Sequence, residues 1–163
     1  MLYAISFVGD ILTPMSVSNN ISLRHILPFV GALPFVAGNI LLGVAIDSIP
    51  NLGSVQHLIN TYGVVIASFM AGVHWGQHLS FSNFLSPALA LTSNFVTLAV
   101  WFSYLLIDPR YLFIALSLAF VTLIFIDTYL CYKKHITERY LKTRLLVTLI
   151  VIANLLITGV LAW

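Results

Sequence analysis

Five polar residues could carry chemistry in this sequence: His74, Gln77, His78, Asn94 and Asp127. His74 and His78 are four residues apart, so a helix would place their imidazoles one turn apart on one face. Asp127 lies in an otherwise apolar run, where an ionised carboxylate is costly and usually turns inward to pair or takes up a proton. We therefore predict that Asp127 contacts His74 or His78.

The predicted polar cluster has two main interpretations, a hydrogen-bonded clamp between helices and a proton-responsive or ligand-binding site. Metal binding is a third, because two histidines at this spacing and Asp127 could supply three ligands. No His-Glu-x-x-His motif or second acidic cluster accompanies them, and we expect no metal and no cofactor. No phosphate-binding glycine loop or Ser-His-Asp order is present either, so the sequence offers no catalytic residue.

The composition determines the kind of fold that must position these residues. Of 163 residues, 60% are hydrophobic and only 7% are charged, and the mean hydropathy is +1.03. Soluble domains carry about 25% charged residues, so most of this surface must face lipid. The apolar runs do not alternate as barrel strands do, which favours helices. A net charge of +2 gives no indication of nucleic-acid binding, and the lone Cys131 excludes an intramolecular disulfide.

We predict an all-α polytopic transmembrane bundle with five spanning helices. Each apolar run matches the roughly 20 residues that cross about 30 Å of hydrocarbon. The predicted spans are 26–46, 62–81, 87–107, 111–132 and 144–162, in a single domain 22–163 that follows an N-terminal segment 1–21 outside the bundle. Ser86-Pro87 and Asp108-Pro109 are expected to begin the third and fourth spans. Pro34 removes an internal hydrogen bond and predicts a bend in the first span.

Basic residues predict the orientation of the chain. Five of the seven Lys and Arg residues lie between the fourth and fifth spans: Lys133, Lys134, Arg139, Lys142 and Arg144. Loops rich in Lys and Arg stay on the cytoplasmic side. We therefore expect the N-terminus and the 133–143 loop in the cytoplasm of a bacterium and the C-terminus on the far side of its inner membrane. In a eukaryote the same pattern would indicate the mitochondrial inner membrane.

The second span carries two faces of small residues. Gly63, Ala67 and Ala71 form a stripe that ends in His74 and His78 and should face protein. The other face has a Gly-x-x-x-Gly spacing, formed by Gly72 and Gly76. This span is therefore predicted to be central or to associate with a second copy or a membrane protein partner, with the lipid bilayer around it and no nucleic acid.

Three segments carry a resemblance to a known family. They are Leu27-Pro-Phe-Val30, Tyr62-Gly63 followed by the run Ser-Phe-Met-Ala-Gly-Val-His-Trp-Gly at 68–76, and Asp127 followed by a basic loop that leads into Leu-Lys-Thr-Arg-Leu-Leu at 141–146. The chain resembles, over about residues 22–162, the transmembrane protein sixty-nine family, a bacterial and mitochondrial membrane domain of unknown function. The resemblance implies a small helical inner-membrane protein and brings no activity, substrate or catalytic residue.

Three classes of function remain open. The first is an accessory, assembly or structural membrane subunit. The second is a small transporter or permeation subunit that works as an oligomer, which predicts one polar path through Pro34, Asn39, Asn94, Asn154 and Asp127. The third is a membrane enzyme or redox protein acting on lipid or quinone, which requires His74, His78 and Asp127 to converge on a cavity open to the inner leaflet.

Overall fold

The computed structural model describes residues 26–80 and 85–161, and it is an all-α bundle. Five helices in it are long and apolar enough to cross a membrane: Ile26–Gly43, Val55–His78, Leu85–Leu106, Leu112–Tyr132 and Glu138–Leu161. We label as α1 the part of the first span from Leu33 to Gly43 and call the four that follow α2 to α5. The strands β1 (Ser48–Ile49) and β2 (Gly53–Ser54) form a small antiparallel hairpin between α1 and α2.

The first span is interrupted rather than bent. Residues 26–30 are helical, Gly31 and Ala32 form a turn, and α1 then begins at Leu33 with Pro34 in its first turn. A proline fits there because the first turn of a helix needs no hydrogen bond from its N–H groups. The Tyr62 hydroxyl of α2 donates to the Gly31 carbonyl at 2.9 Å and holds the interruption against the bundle.

The helix α2 begins at Val55, well before the predicted start at residue 62. The Ser54 hydroxyl caps it by accepting from the His57 N–H at 3.2 Å. Asn60 of its second turn donates to the Pro109 carbonyl at 2.9 Å. The predicted boundary was the start of an apolar run, and the polar residues of the first two turns lie before that run.

Two other predicted helix starts also differ from the structure. The helix α4 begins at Leu112 because Asp108 and Pro109 belong to a turn, in which the Asp108 carboxylate accepts from the Arg110 N–H at 2.9 Å. The Arg110 guanidinium pairs with the same carboxylate and lowers the pKa of Asp108 below its ordinary value. The helix α5 begins at Glu138 because the Thr137 hydroxyl accepts from the Tyr140 N–H at 3.3 Å. Half of the predicted basic loop is therefore helical.

The predicted start of the third span is close to the observed start of α3. The helix α3 begins at Leu85, which places Ser86 and Pro87 in its first turn.

The helix α2 packs against all four other helices. Its fully buried residues Ala67 and Ala71 lie in one core with Phe35, Leu116 and Leu155. Large apolar side chains cover the outside of the bundle, where Phe69, Phe95, Leu106 and Phe125 are 67–78% exposed. Soluble monomers rarely expose contiguous apolar patches of this extent, so this outer surface fits lipid contact.

Candidate functional site

The centre of the candidate site is Asp127 of α4, which is completely buried and uses both carboxylate oxygens. Its Oδ1 lies 2.9 Å from His74 Nε2 of α2, and its Oδ2 accepts from Arg144 Nε of α5 at 2.9 Å. His74 is also 0% exposed, and Arg144 is 6% exposed. One carboxylate therefore joins three helices in a buried charge cluster formed by His74, Asp127 and Arg144.

Small residues on α2 bring the helices close enough for this contact. A Cβ added to Gly63 would lie 2.7 Å from Leu116 Cδ1 of α4, so only glycine fits there without a shift. One and two turns further along, Ala67 and Ala71 are fully buried. The Ser93 hydroxyl of α3 donates to the Ala71 carbonyl at 2.6 Å. The stripe of small residues on α2 therefore faces protein from Gly63 to His74.

The charge cluster can be electrically neutral. A neutral His74 with its hydrogen on Nε2 would donate to Asp127, while the charges of Asp127 and Arg144 cancel. In that state His74 Nδ1 is an acceptor, and it is buried with no hydrogen-bond partner among the described residues. A neutral cluster suits the hydrocarbon layer, because uncompensated charge there is costly.

Arg144 is the member that sequence reasoning missed, since it was assigned to the basic loop. It lies nearly two turns inside α5, where its Nη1 contacts Met70 Sδ and its guanidinium lies 6.0 Å from the centre of the Tyr140 ring. Two signals could have revealed it. A buried carboxylate needs a counter-charge, and Arg144 shares a helical face with the apolar Val147 and Val151.

Three of the five predicted site residues lie apart from the charge cluster. His78 is half-buried at the end of α2, where its Nδ1 contacts the Trp75 carbonyl of the same helix. Asn94 is exposed and donates to the Ala90 carbonyl of its own helix at 3.0 Å. The buried polar group at that level of α3 is the neighbouring Ser93, one residue or about 100° away.

Gln77 is intermediate in exposure, and its Oε1 atom is buried without a partner within the described residues.

The geometry of the charge cluster also bears on the metal interpretation. Within 26–80 and 85–161, no three His, Cys, Asp or Glu side chains are grouped so that they could hold a metal ion. The second oxygen of Asp127 is engaged by Arg144, a cation, instead.

A sequence model of a family described as "Protein of unknown function (DUF3429)" matches residues 22–160. The chain belongs to this family. The DUF3429 match includes the whole charge cluster and nearly all of the five helices. No curated protein and no solved structure matches the chain.

This DUF3429 chain has a second polar cluster in the opposite half of the bundle. Asn39 of α1 donates from Nδ2 to both the side-chain and the main-chain oxygen of Asn154 at 2.9 Å. The Thr158 hydroxyl donates to Asn39 Oδ1 at 2.8 Å. These residues form an amide cluster that fastens α1 to α5. The sequence signal was the one-turn spacing of Asn154 and Thr158.

A cavity of about 490 Å³ lies beside the charge cluster, between the helical residues 26–30, α2 and α5. Its wall is mainly apolar and includes Ile66, Val73 and Val151. Arg144 is the member of the charge cluster that reaches this wall, whereas His74 and Asp127 do not line it. The cavity therefore meets a guanidinium and not the imidazole and carboxylate.

Proposed function

We propose that this chain is an accessory or assembly subunit of a membrane, which docks on another membrane protein through one face of α2. The observation that supports this most directly is an exposed stripe containing Gly72 and Gly76, flanked by Val65, Phe69 and Leu79. At 100° per residue these five positions fall within a narrow arc. Small residues in such an arc let the backbone of a second helix approach closely.

The contrast with other glycines of the bundle supports this proposal. A Cβ added to Gly38, Gly63 or Gly159 would meet a side chain of a neighbouring helix within 2.7 Å. A Cβ added to Gly72 or Gly76 would meet nothing within 4 Å among the described residues. The first three glycines are used for contacts inside the bundle, while the Gly-x-x-x-Gly pair is left for a contact outside it.

The arrangement of polar residues favours this proposal over transport. A permeation path was expected to join Asn39, Asn94 and Asn154 to Asp127. Asn39 and Asn154 instead bond each other in the half of the bundle away from Asp127, and Asn94 faces outward. These groups serve helix contacts, which is typical of interhelical hydrogen bonds in membranes.

An enzyme acting on lipid or quinone has less support. That hypothesis required His74, His78 and Asp127 to converge on a cavity. The cavity beside the charge cluster is lined by Arg144 and by none of these three.

The identity of the membrane and the orientation of the chain in it belong to the same proposal. The resemblance to the transmembrane protein sixty-nine family supports an inner membrane, bacterial or mitochondrial. Lys133, Lys134, Arg139 and Lys142 are exposed at one end of the bundle, whereas Arg110 at the other end is paired with Asp108. This bias supports a cytoplasmic or matrix location for the 133–143 segment.

Site-specific cross-linking in the native membrane tests the docking face. A photoreactive amino acid replaces Leu79, which is 75% exposed beside the glycine pair. Light should join it to a different membrane protein, identified by mass spectrometry of the adduct. Gly72→Leu with Gly76→Leu should abolish the adduct, because two large side chains prevent close helix approach.

The matched control is Gly43→Leu, an exposed glycine of α1 that also has open space around it. This variant should keep the adduct. An adduct containing only a second copy of the chain would contradict the accessory role. An adduct that survives the double substitution would contradict docking at this face.

A further inference from the structure

We propose that the cavity beside Arg144 is a binding site for one anionic amphiphile. Its acyl chain would fill the apolar part, and its carboxylate or phosphate head would contact Arg144 and Tyr140. The cavity volume of about 490 Å³ is within the range of about 300–1,000 Å³ found for ligand sites. The site borders the docking face of α2, with which it shares Phe69, and does not depend on docking there.

The walls determine the apolar part of the ligand. Side chains of two helices, Ile66 and Val73 of α2 and Val147 and Val151 of α5, line the cavity with Leu27 from the start of the first span. These walls provide few partners for a polar ligand, and burying an unpaired polar group costs free energy. Because the cavity lies within the membrane-spanning helices, an acyl chain matches both its walls and its surroundings.

One wall carries the polar groups that would bind the head. Tyr140, Arg144 and Thr148 line the cavity from α5 at four-residue intervals, so they share one helical face. This polar stripe runs from the first turn of α5 toward the membrane interior. A head group at Tyr140 and Arg144 would therefore lie near the membrane edge, with its chain directed past Thr148 and Val151.

Arg144 determines the charge of the head. A guanidinium has five N–H donors, and Arg144 directs Nε to Asp127 and Nη1 to Met70. Its Nη2 makes no hydrogen bond within the described part of the chain, and Arg144 reaches the cavity wall, so this donor is available to a ligand. None of the described residues that line the cavity is acidic. A carboxylate or phosphate oxygen is the acceptor that guanidinium binds best.

The surrounding surface favours the same ligand. Arg139 and Lys142 are exposed at the same end of α5, where basic side chains attract anionic head groups. The ligand class is thus defined by three observations: apolar walls, a guanidinium in the wall with a donor that no described residue uses, and exposed basic residues at the same end of α5.

Native mass spectrometry of the detergent-purified full chain tests the proposal with three probes: phosphatidylglycerol, phosphatidylcholine and oleate. One molecule of phosphatidylglycerol or oleate should remain bound. The anionic probe should bind at least about tenfold more tightly than phosphatidylcholine, because the choline cation offsets the phosphate charge and is repelled by the basic residues at this end of α5. Mutual displacement of the two anionic probes would show that they share the site. Retention of only one would identify the source as phospholipid or free fatty acid.

Two matched substitutions locate the site on α2. Val73→Phe fills the cavity and should remove the bound probe, whereas Val65→Phe makes the same change at an exposed position outside the cavity wall and should retain it. Tyr140→Phe should weaken binding of the anionic probes without disturbing the charge cluster. Arg144→Lys should reduce the preference for them, provided that its unfolding midpoint stays near that of the parent.

Three results would overturn the proposal. Equal binding of phosphatidylglycerol and phosphatidylcholine would indicate surface lipid without a specific head site. Equal losses in Val73→Phe and Val65→Phe would place the probe elsewhere. Binding that appears only after residues 1–21 are deleted would assign the cavity to the chain's own N-terminal segment.

Discussion

At the residue scale, the stability of the bundle depends on how one carboxylate is paired. Asp127 is fully buried between His74 and Arg144. Taking these groups out of water has a large desolvation cost, which good geometry offsets only while every partner is present. Loss of one partner leaves a buried charge without compensation, whereas loss of both removes the charges together.

The first prediction is that Asp127→Asn destabilises the protein by about 3–5 kcal/mol, because Arg144 is then a buried cation without a counter-charge. The measurement is the unfolding midpoint in mixed detergent and dodecyl sulfate micelles, followed by circular dichroism. Adding Arg144→Met should restore part of the loss, so the two changes should be strongly non-additive.

Asp108→Asn is the control for this prediction, because the Asp108–Arg110 pair lies outside the bundle core at 42–53% side-chain exposure. We expect it to have no measurable effect, since exposed ion pairs contribute little. An Asp127→Asn protein as stable as the parent would contradict the role given to the charge cluster.

About half of this site could be predicted from the sequence. The contact between Asp127 and one of two histidines could be predicted, because an intramembrane carboxylate must find a partner. The choice of His74 over His78 could not be predicted, because it depends on where α2 ends, and His78 is the last residue of that helix. Arg144 was missed because a basic residue at a span boundary also fits an orientation signal.

At the element scale, hydropathy was enough to find the helices and not enough to find their ends. All five predicted spans correspond to observed helices, because about 20 apolar residues in sequence have few other folded forms. The starts of α2 and α5 were placed too late. Their first two turns carry polar residues whose hydrogen bonds are made with a cap or with the α3–α4 turn, and hydropathy does not reveal these contacts.

The second prediction concerns the contact between α1 and α2. A Cβ on Gly38 would lie 2.5 Å from Ile59 Cγ1, and Ile59 is itself buried. Gly38→Ala should therefore destabilise the bundle by about 1–3 kcal/mol, the usual cost of overpacking. The same unfolding titration measures it.

Gly72→Ala is the matched substitution for this test, because nothing lies within 4 Å of that position among the described residues. It should not lower the unfolding midpoint, and the higher helix propensity of Ala should raise it slightly. Combining Gly38→Ala with Ile59→Ala should cost less than the sum of the single changes, since the second opens space for the first. Additive losses would show that the two residues do not limit the approach of α1 to α2.

At the scale of the whole molecule, the two ends of the bundle differ in chemistry. The charge cluster and the exposed Lys133, Lys134 and Lys142 are at one end, whereas the amide cluster is toward the other. Arg144 contributes less than an exposed basic residue to the charge bias that predicts orientation, because it is buried and paired inside the bundle. The exposed basic residues still favour the same direction.

The third prediction is that the hairpin side of the bundle faces away from the cytoplasm. Leu52 is 59% exposed in the turn of the hairpin, and Ile136 lies in the connection between α4 and α5. With the native cysteine replaced by Cys131→Ser, a membrane-impermeant maleimide should label Leu52→Cys in intact bacterial cells and should not label Ile136→Cys. After the membrane is permeabilised, both should react, which controls for burial of either thiol. Labelling of Ile136→Cys alone in intact cells would reverse the orientation, and the end of α5 that carries Tyr140 and Arg144 would then face the outer leaflet.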